Sequence, residues 1–118
     1  MPPMKHLCTL IGMALACASA TAEPTPPPNA ERQQALVRMV RQDCGSCHGM
    51  HLTGGLGPPL TPAALADKPL SSMAATIFHG RPGTPMPGWR GQLTEAEALW
   101  IAEQLLGSFP QAPTRTQP

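Results

Sequence analysis

The sequence predicts an all-α fold, a small single domain of three to four helices. Two segments place apolar residues at helical spacing, and a shorter third is bounded by proline and glycine. No segment alternates apolar and polar residues over the length of a strand. The chain has 118 residues, which is enough for one domain. Lys and Arg together number 8, and Asp and Glu number 7, so no basic surplus indicates a nucleic-acid partner.

The first helix is predicted to begin after Asn29, a favourable N-cap residue, and to run to about Asp43. Its apolar face is defined by helical spacing and consists of Leu36, Val37, Val40 and Cys44. A shorter helix is predicted from about Ser71 to His79, because Pro69 precedes it and Gly80 prevents its continuation. Both helices are expected to contribute to one core.

The last helix has the strongest local signals. Thr94-Glu95-Ala96-Glu97 is a capping box, with Thr94 as N-cap and Glu97 at the third helical position. An apolar stripe follows and consists of Ala98, Ile101, Ala102 and Leu105. Gly107 lies where a helix commonly ends. These signals predict a helix that begins after Thr94 and packs its stripe into the core.

The ends of the chain are expected to lie outside the domain. Residues 1–22 resemble a secretory signal peptide, with a basic start, an uncharged apolar run and a small-residue cleavage site. An uncleaved anchor and a lipoprotein are the alternatives. Residues 23–29 contain four prolines and predict a stiff tether, and residues 108–118 predict a flexible tail. Residues 30–107 are then the folded domain of an exported, periplasmic protein that has no membrane attachment once the leader is removed.

One motif in the sequence carries recognisable chemistry. Cys44-Gly45-Ser46-Cys47-His48 is the C-x-x-C-H pattern of covalent haem attachment. Two thiols at this spacing can bond the two vinyl groups on one porphyrin edge, and the adjoining histidine is then directed at the iron. A thioredoxin-like pair lacks its βαβ context here, a zinc site lacks a second cysteine pair, and a chance match is the third alternative. A haem would also supplement a core with few aromatic residues.

The second axial ligand of such a haem is predicted to be Met86. It lies between Pro85 and Pro87, in a loop that these prolines make rigid, and a weak thioether ligand benefits from rigidity. The other candidates are Met50, His51, Met73 and His79. A His/Met pair raises the reduction potential and leaves no open iron position, which favours electron transfer over oxygen chemistry.

The surroundings of these ligands suggest further haem-pocket residues. A ligating histidine normally donates its other ring nitrogen to a carbonyl or carboxylate, and the carbonyl of Pro58 in the tight loop 54–60 is the candidate acceptor. Leu60 is expected to pack on the haem, although a plain proline turn is the alternative. Arg81 and Trp89 flank Met86 and are candidates for hydrogen bonds to the haem propionates, with surface or core roles as the alternative.

These features together resemble class I cytochromes c, over residues 32–106. The likeness rests on CGSCH at 44–48, GLGPPL at 55–60, MP at 86–87 and the closing helix from Thr94. It implies a small cytochrome fold wrapped around one covalently bound haem c, and it carries over the Pro58 carbonyl as the partner of His48. An aromatic residue common near Gln104 in such families is absent, and Trp100 is expected to compensate from a different face.

A narrower likeness concerns the small NirC-type periplasmic cytochromes of denitrifying bacteria. It rests on the stretches CGSCHGMHLTGGLGPPLTPAAL and IFHGRPGTPMPGW. That resemblance implies electron donation to the nitrite reductase that carries haem c and haem d, in denitrification, or a role in maturing its special haem. A gas sensor is a third hypothesis. We expect an electron carrier and not an enzyme, with redox proteins as partners at the surface around Gly45, Ser46 and Met86–Gly88; Arg38 and Arg41 are either solvated or face an acidic partner.

Overall fold

A computed structural model of the chain describes residues 23–110, which form helices joined by loops. The helices are α1 (Ala30–Met39), α2 (Gly45–His48), α3 (Pro62–Leu65), α4 (Leu70–His79) and α5 (Glu95–Leu106), and a π-helical turn (Val40–Cys44) joins α1 to α2. Because α1, the π turn and α2 form one continuous helix, residues 23–110 contain four helices and no strand. The predicted all-α fold is confirmed. The predicted signal peptide and tail residues 111–118 lie outside the described part of the chain.

The first helix begins where its cap predicts and ends later than expected. The side chain of Asn29 accepts a hydrogen bond from the backbone N–H of Arg32 at 2.9 Å. The expected end at Asp43 is wrong, because the helical backbone continues to His48. A π turn carries it past that point, and the N–H of Gly45 bonds the carbonyl of Val40, five residues earlier.

The last helix confirms its capping box. Thr94 Oγ1 accepts from the N–H of Glu97 at 3.2 Å, and the carboxylate of Glu97 accepts from the N–H of Thr94 at 2.9 Å. All four residues of the predicted stripe are buried, and so is Trp100, which is 8% exposed. The helix ends at Gly107 as predicted.

One core joins the three longer helices. Its buried side chains include Leu36, Val37 and Val40 from the first helix, Met73 from α4, and Trp100, Ile101 and Leu105 from α5. The side chain of Arg32 also binds Glu97 through two hydrogen bonds, of 2.6 and 3.1 Å, and donates to the carbonyl of Gln92 at 3.1 Å. The bond from Arg32 lowers the pKa of Glu97 and ties α1 to α5.

The segment after α5 packs back on the domain up to the last described residue. Arg41 donates to the carbonyls of Phe109 and Pro110 at 3.1 and 3.0 Å, and its guanidinium lies 5.2 Å from the ring centroid of Phe109. Arg41 therefore holds the beginning of the predicted tail. Across residues 23–110, no helix has the length and apolar character needed to cross a membrane.

Candidate functional site

The C-x-x-C-H motif occupies the end of the long first helix. Cys44 is half-buried and Cys47 is exposed, and both thiols are free. Burial, with a smaller contribution from the charge of Asp43, raises the pKa of Cys44 to about 11. Disulfide oxidoreductases usually lower the pKa of the attacking cysteine, whereas burial of Cys44 has the opposite effect. The environment of Cys44 therefore argues against the thioredoxin-like alternative.

The loop after the motif, residues 49–60, folds back over it through backbone hydrogen bonds. The N–H of Gly54 bonds the carbonyl of His48 at 2.8 Å, and the N–H of Gly57 bonds that of Cys47 at 2.8 Å. The ends of the loop are closed by a bond of 2.8 Å from the N–H of Leu60 to the carbonyl of Leu52. These bonds satisfy the last carbonyls of the helix and fix the loop against the motif.

The ring of His48 lies against this loop and contacts Gly57 and the carbonyl of Pro58. Its Nδ1 lies 2.7 Å from the carbonyl oxygen of Pro58, the contact expected from the sequence. Since a carbonyl only accepts, Nδ1 is the donor, and in the neutral ring Nε2 is then the nitrogen with the lone pair that can bind a metal. Gly57 lies against the ring so closely that a Cβ there would stand 2.7 Å from Cε1 of His48. Gly57 and Pro58 together therefore fix the orientation of the ring.

The predicted second ligand, Met86, lies half-buried in a loop with its own internal hydrogen bonds. Its carbonyl accepts from the N–H of Arg81 at 3.2 Å, and its N–H donates to Oγ1 of Thr84 at 3.3 Å. The hydroxyl of Thr84 in turn donates to the carbonyl of Arg81 at 2.7 Å. These hydrogen bonds, together with Pro85 and Pro87, therefore fix the position of the backbone at Met86.

The same loop is anchored on the end of α4. The N–H groups of Trp89 and Arg90 donate to the carbonyls of Ile77 and Phe78, both at 3.1 Å. The backbones approach so closely that a Cβ on Gly88 would stand 2.6 Å from the carbonyl carbon of His79. This contact requires glycine at position 88.

The remaining predicted pocket residues lie around these two loops. Leu60 and Trp89 are half-buried and pack against the core, while Pro58 and Arg81 are exposed. The contacts of these four residues with haem stay predictions. The bonds from Cys44, Cys47, His48 and Met86 to haem also stay predictions. Sequence reasoning did not predict the contacts of Gly57, Thr84 or Gly88. Nothing in the sequence next to these three residues indicates the contacts that they make.

The alternative ligands lie in less suitable places. Met73 is buried in the core and is 9% exposed, so its sulfur packs among apolar side chains. His79 is exposed at the end of α4, with its ring edge-on to Phe78. Met50 and His51 are exposed in the turn directly after the motif, on the chain segment that carries His48. Met86 is the only one of the five held in a loop that is braced on another helix.

A cavity of about 700 Å³ lies elsewhere, between α4, α5 and the proline-rich segment 24–27. Its lining includes Phe78, Leu99 and Trp100 but neither cysteine of the motif, nor His48, nor Met86. This open groove therefore contains none of the four proposed haem-binding residues, although His79 lines it.

The donor set fits a covalently bound haem. It comprises two free thiols two residues apart, an imidazole whose Nε2 is available, and a thioether on a fixed loop. An all-α domain that carries the two thiols and the imidazole at the end of its first helix, and the thioether on a separate loop, is a c-type cytochrome domain. The comparison with family models agrees: the chain belongs to the family described as cytochrome C oxidase, cbb3-type, subunit III, which matches residues 30–104.

Individual proteins show a more specific similarity than the family does. Cytochrome c55X of Stutzerimonas stutzeri is 47% identical over 113 residues, which cover 91% of this chain and 96% of that protein. A solved structure titled "c-type cytochrome NirC" matches with 54% identity and a TM-score of 0.66, over 67% of this chain and 93% of that one. The predicted resemblance to NirC-type class I cytochromes is thereby confirmed.

A further relative is a larger protein. The dihydro-heme d1 dehydrogenase of Pseudomonas aeruginosa is 40% identical over 77 residues, which cover 65% of this chain but 15% of the dehydrogenase. The likeness concerns a cytochrome-like part of that protein and leaves most of it unmatched.

Proposed function

We propose that the chain is a periplasmic carrier of single electrons with one haem c. Cys44 and Cys47 would form the two thioether bonds, and His48 and Met86 would bind the iron. The observation that carries the proposal is the 2.7 Å contact between Nδ1 of His48 and the carbonyl of Pro58, which leaves Nε2 available beside two free thiols. The sequence has one C-x-x-C-H motif, hence one haem.

The residues of the site have separable roles in this proposal. When bound, the haem supplies an iron that changes between its ferric and ferrous states. Pro58 would orient the imidazole and make it a better electron donor, while Met86 would supply the second protein ligand to the iron and leave no site for oxygen. Leu60 would pack against the porphyrin, and Arg81 and Trp89 would hydrogen-bond its propionates. With two protein ligands on the iron, the site would transfer electrons and perform no bond chemistry of its own.

The proposed recipient of the electrons is the haem c and haem d nitrite reductase of denitrification. The NirC-type likeness supports this choice. The test is a rapid-mixing experiment in which the reduced holoprotein meets the oxidised reductase of the same organism. Oxidation of the cytochrome at a rate that rises with reductase concentration is expected. No oxidation within the turnover time of the reductase would contradict the proposed direction.

A second candidate is a role in maturing the special haem of that reductase. The observation favouring it is that a cytochrome-like part resembling this chain occurs in a protein named dihydro-heme d1 dehydrogenase. A dehydrogenase releases electrons that an acceptor must take up, and a one-electron cytochrome can take them in two turns. A deletion strain separates the candidates, since reductase with a complete haem d in that strain excludes the maturation role.

Covalent attachment is tested on the purified periplasmic protein. The pyridine spectrum of wild type should show two saturated vinyl positions, and Cys47→Ala should shift its main band to the position of a haem with one thioether. Cys44→Ala should give the same shift. An unchanged spectrum in either variant would contradict the assignment of that cysteine.

A further inference from the structure

The π turn Val40–Cys44 lies within the first helix, directly before the proposed haem motif. In this turn the N–H of Gly45 bonds the carbonyl of Val40, five residues earlier, where an α-helix would bond a carbonyl four residues earlier. The π turn therefore holds one residue more than the α-helical turn that it replaces. Such turns are rare and are frequently found at functional sites. Its position suggests that it places the motif.

The extra residue changes which face of the helix carries each residue of the motif. One residue of an α-helix corresponds to a rotation of about 100°, so the residues after the π turn are rotated by about that angle. In a regular α-helix, residues seven positions apart share a face, and Cys47 would lie on the same side as Val40, which is 0% exposed. In the structure Cys47 is exposed and Gly45 is buried. The π turn therefore moves Cys47 away from the core face.

Gly45 takes the place on the core face that the fourth residue after Val40 has in an α-helix. A Cβ on Gly45 would stand 3.7 Å from both the Cα of Met50 and the carbonyl oxygen of Val40, which agrees with its burial. With this register, Nδ1 of His48 lies 2.7 Å from the carbonyl oxygen of Pro58. A regular α-helix up to His48 would turn the ring by about 100° from that contact. The contact that orients the proposed iron ligand therefore depends on the π turn.

Arg41, the second residue of the π turn, binds the chain that follows α5. Its Nη2 donates to the carbonyls of Phe109 and Pro110 at 3.1 and 3.0 Å, and its Nε donates to the carbonyl of Pro110 at 3.3 Å. The guanidinium also lies 5.2 Å from the ring centroid of Phe109, and Phe109 itself packs against the core. These contacts join residues that are 68 or 69 positions apart in the sequence. They therefore fix the π turn relative to the end of the last helix.

The other side-chain hydrogen bond at the turn is local. Oγ of Ser46 donates to the carbonyl of Asp43 at 2.7 Å, and this bond spans three residues of the same helix. Within residues 23–110, every hydrogen bond from a side chain of the π turn to a distant part of the chain comes from Arg41. Arg41 is half-buried, so these bonds are partly shielded from water. The hydrogen bonding that ties the turn to the end of α5 therefore depends on one residue.

We propose that Arg41 is a positioning residue for the haem motif: its bonds to the chain after α5 hold the π turn, and the π turn sets the face on which Cys47 and His48 lie. This inference rests on the proposed electron-carrier function and adds a residue outside the motif on which that function depends. Because the α-helix is the usual form of such a segment, the helix should return to α-helical register when Arg41 is removed, and the motif should rotate by about 100°.

The test compares holoprotein variants by NMR of the ferrous form, by absorption of the ferric form and by redox titration. In Arg41→Gln, the NMR contact between the protons of Gly57 and the His48 ring should be lost. The methionine-to-iron absorption band should weaken and the reduction potential should fall, because Met86 is held on a separate loop that does not rotate with the motif. Arg38→Gln, which removes an exposed arginine one turn earlier, is the matched control and should change none of these signals.

Deletion of Gln42 separates the register of the helix from its general stability. Gln42 is exposed and lies in the π turn, so its removal leaves the number of residues that an α-helical turn holds. The motif then has its original orientation in a regular α-helix, and Arg41 is no longer needed to maintain it. The double variant, Arg41→Gln with Gln42 deleted, should therefore recover the ring contact, the absorption band and the potential of wild type. A mere loss of stability would not be repaired by this deletion.

The outcomes are distinct. Unchanged ring contact, absorption band and potential in Arg41→Gln would overturn the inference, and so would a double variant that keeps the altered signals. If Arg41→Gln yields no holoprotein, the double variant decides: holoprotein with the wild-type spectrum supports the inference, and no holoprotein overturns it. A wild type without covalent haem or reversible reduction would refute the electron-carrier function itself. A normal wild type with an unaltered Arg41→Gln would refute only the role of Arg41.

Discussion

Gly57→Ala probes the packing that orients the proposed proximal ligand. A Cβ at this position would stand 2.7 Å from Cε1 and 2.8 Å from Nδ1 of the His48 ring. Two carbon atoms in favourable contact are about 3.5–4.0 Å apart. The ring or the loop must therefore move by roughly 0.8 Å to relieve the overlap.

A movement of that size affects the bond that fixes the ring. Nδ1 of His48 is 2.7 Å from the carbonyl of Pro58, and N–H···O bonds rarely exceed about 3.2 Å. Overpacking of this kind costs about 1–3 kcal/mol, and loss of the bond adds about 1 kcal/mol. We expect the holoprotein to lose about 2–4 kcal/mol of unfolding free energy, together with a change in the environment of the histidine ligand.

The assay compares holoprotein variants by denaturant unfolding and by the NMR signals of the His48 ring. Gly91→Ala is the matched control, because a Cβ on Gly91 meets no atom within 4 Å. Neither glycine has a φ in the left-handed region, so alanine brings no left-handed backbone strain at either position. If Gly57→Ala and Gly91→Ala unfold at the same denaturant concentration with unchanged ring signals, the packing argument is refuted.

Two further predictions concern the second ligand and the link between the first and last helices. Met86→Ala should remove the methionine-to-iron absorption band and lower the reduction potential, whereas the exposed Met50→Ala should change neither; absorption spectra and a redox titration decide this. Glu97→Gln should destabilise the protein by about 1 kcal/mol at pH 7, because Glu97 is 14% exposed and Arg32 is 41% exposed and partly screened. Since Arg32 lowers the pKa of Glu97, that stability is fully present above the unfolded carboxyl pKa of about 4.3 and is lost as the pH falls through the lower folded value. Unfolding at pH 7 and pH 3 should therefore show the gap between wild type and variant closing, and a constant gap would contradict the assignment.

The helix starts were predictable because caps are local. Asn29 and the Thr94–Glu97 box satisfy backbone donors within three residues of themselves, so the same bonds form in almost any fold. The π turn was not predictable, because a hydrogen bond from i to i−5 replaces one from i to i−4 without a change in residue preference. This π turn lies within the first helix, which continues past it to His48.

The contacts of the candidate site can also be divided into those that the sequence predicts and those that it does not. The acceptor for His48 was predictable, since only ten residues separate it from Pro58 and a tight loop joins them. The bracing of the Met86 loop was not, because it depends on the approach of Gly88 to the end of α4, which the sequence around Gly88 does not show. The first contact follows from local chain geometry and the second from tertiary packing.

The two proposed iron ligands are carried by segments that share one support, the last helix. His48 ends the helix that Arg32 ties to Glu97, and the Met86 loop is bonded to the end of α4, which packs along α5. Helix α5 itself supplies no ligand, yet its buried Ile101 and Leu105 belong to the core cluster that both segments join. Because a thioether binds iron weakly, the distance between these segments must be set by packing and not by the metal bond. In the proposed holoprotein the thioether bonds would attach the cofactor to the first segment only, and packing on α5 would keep the other segment in place.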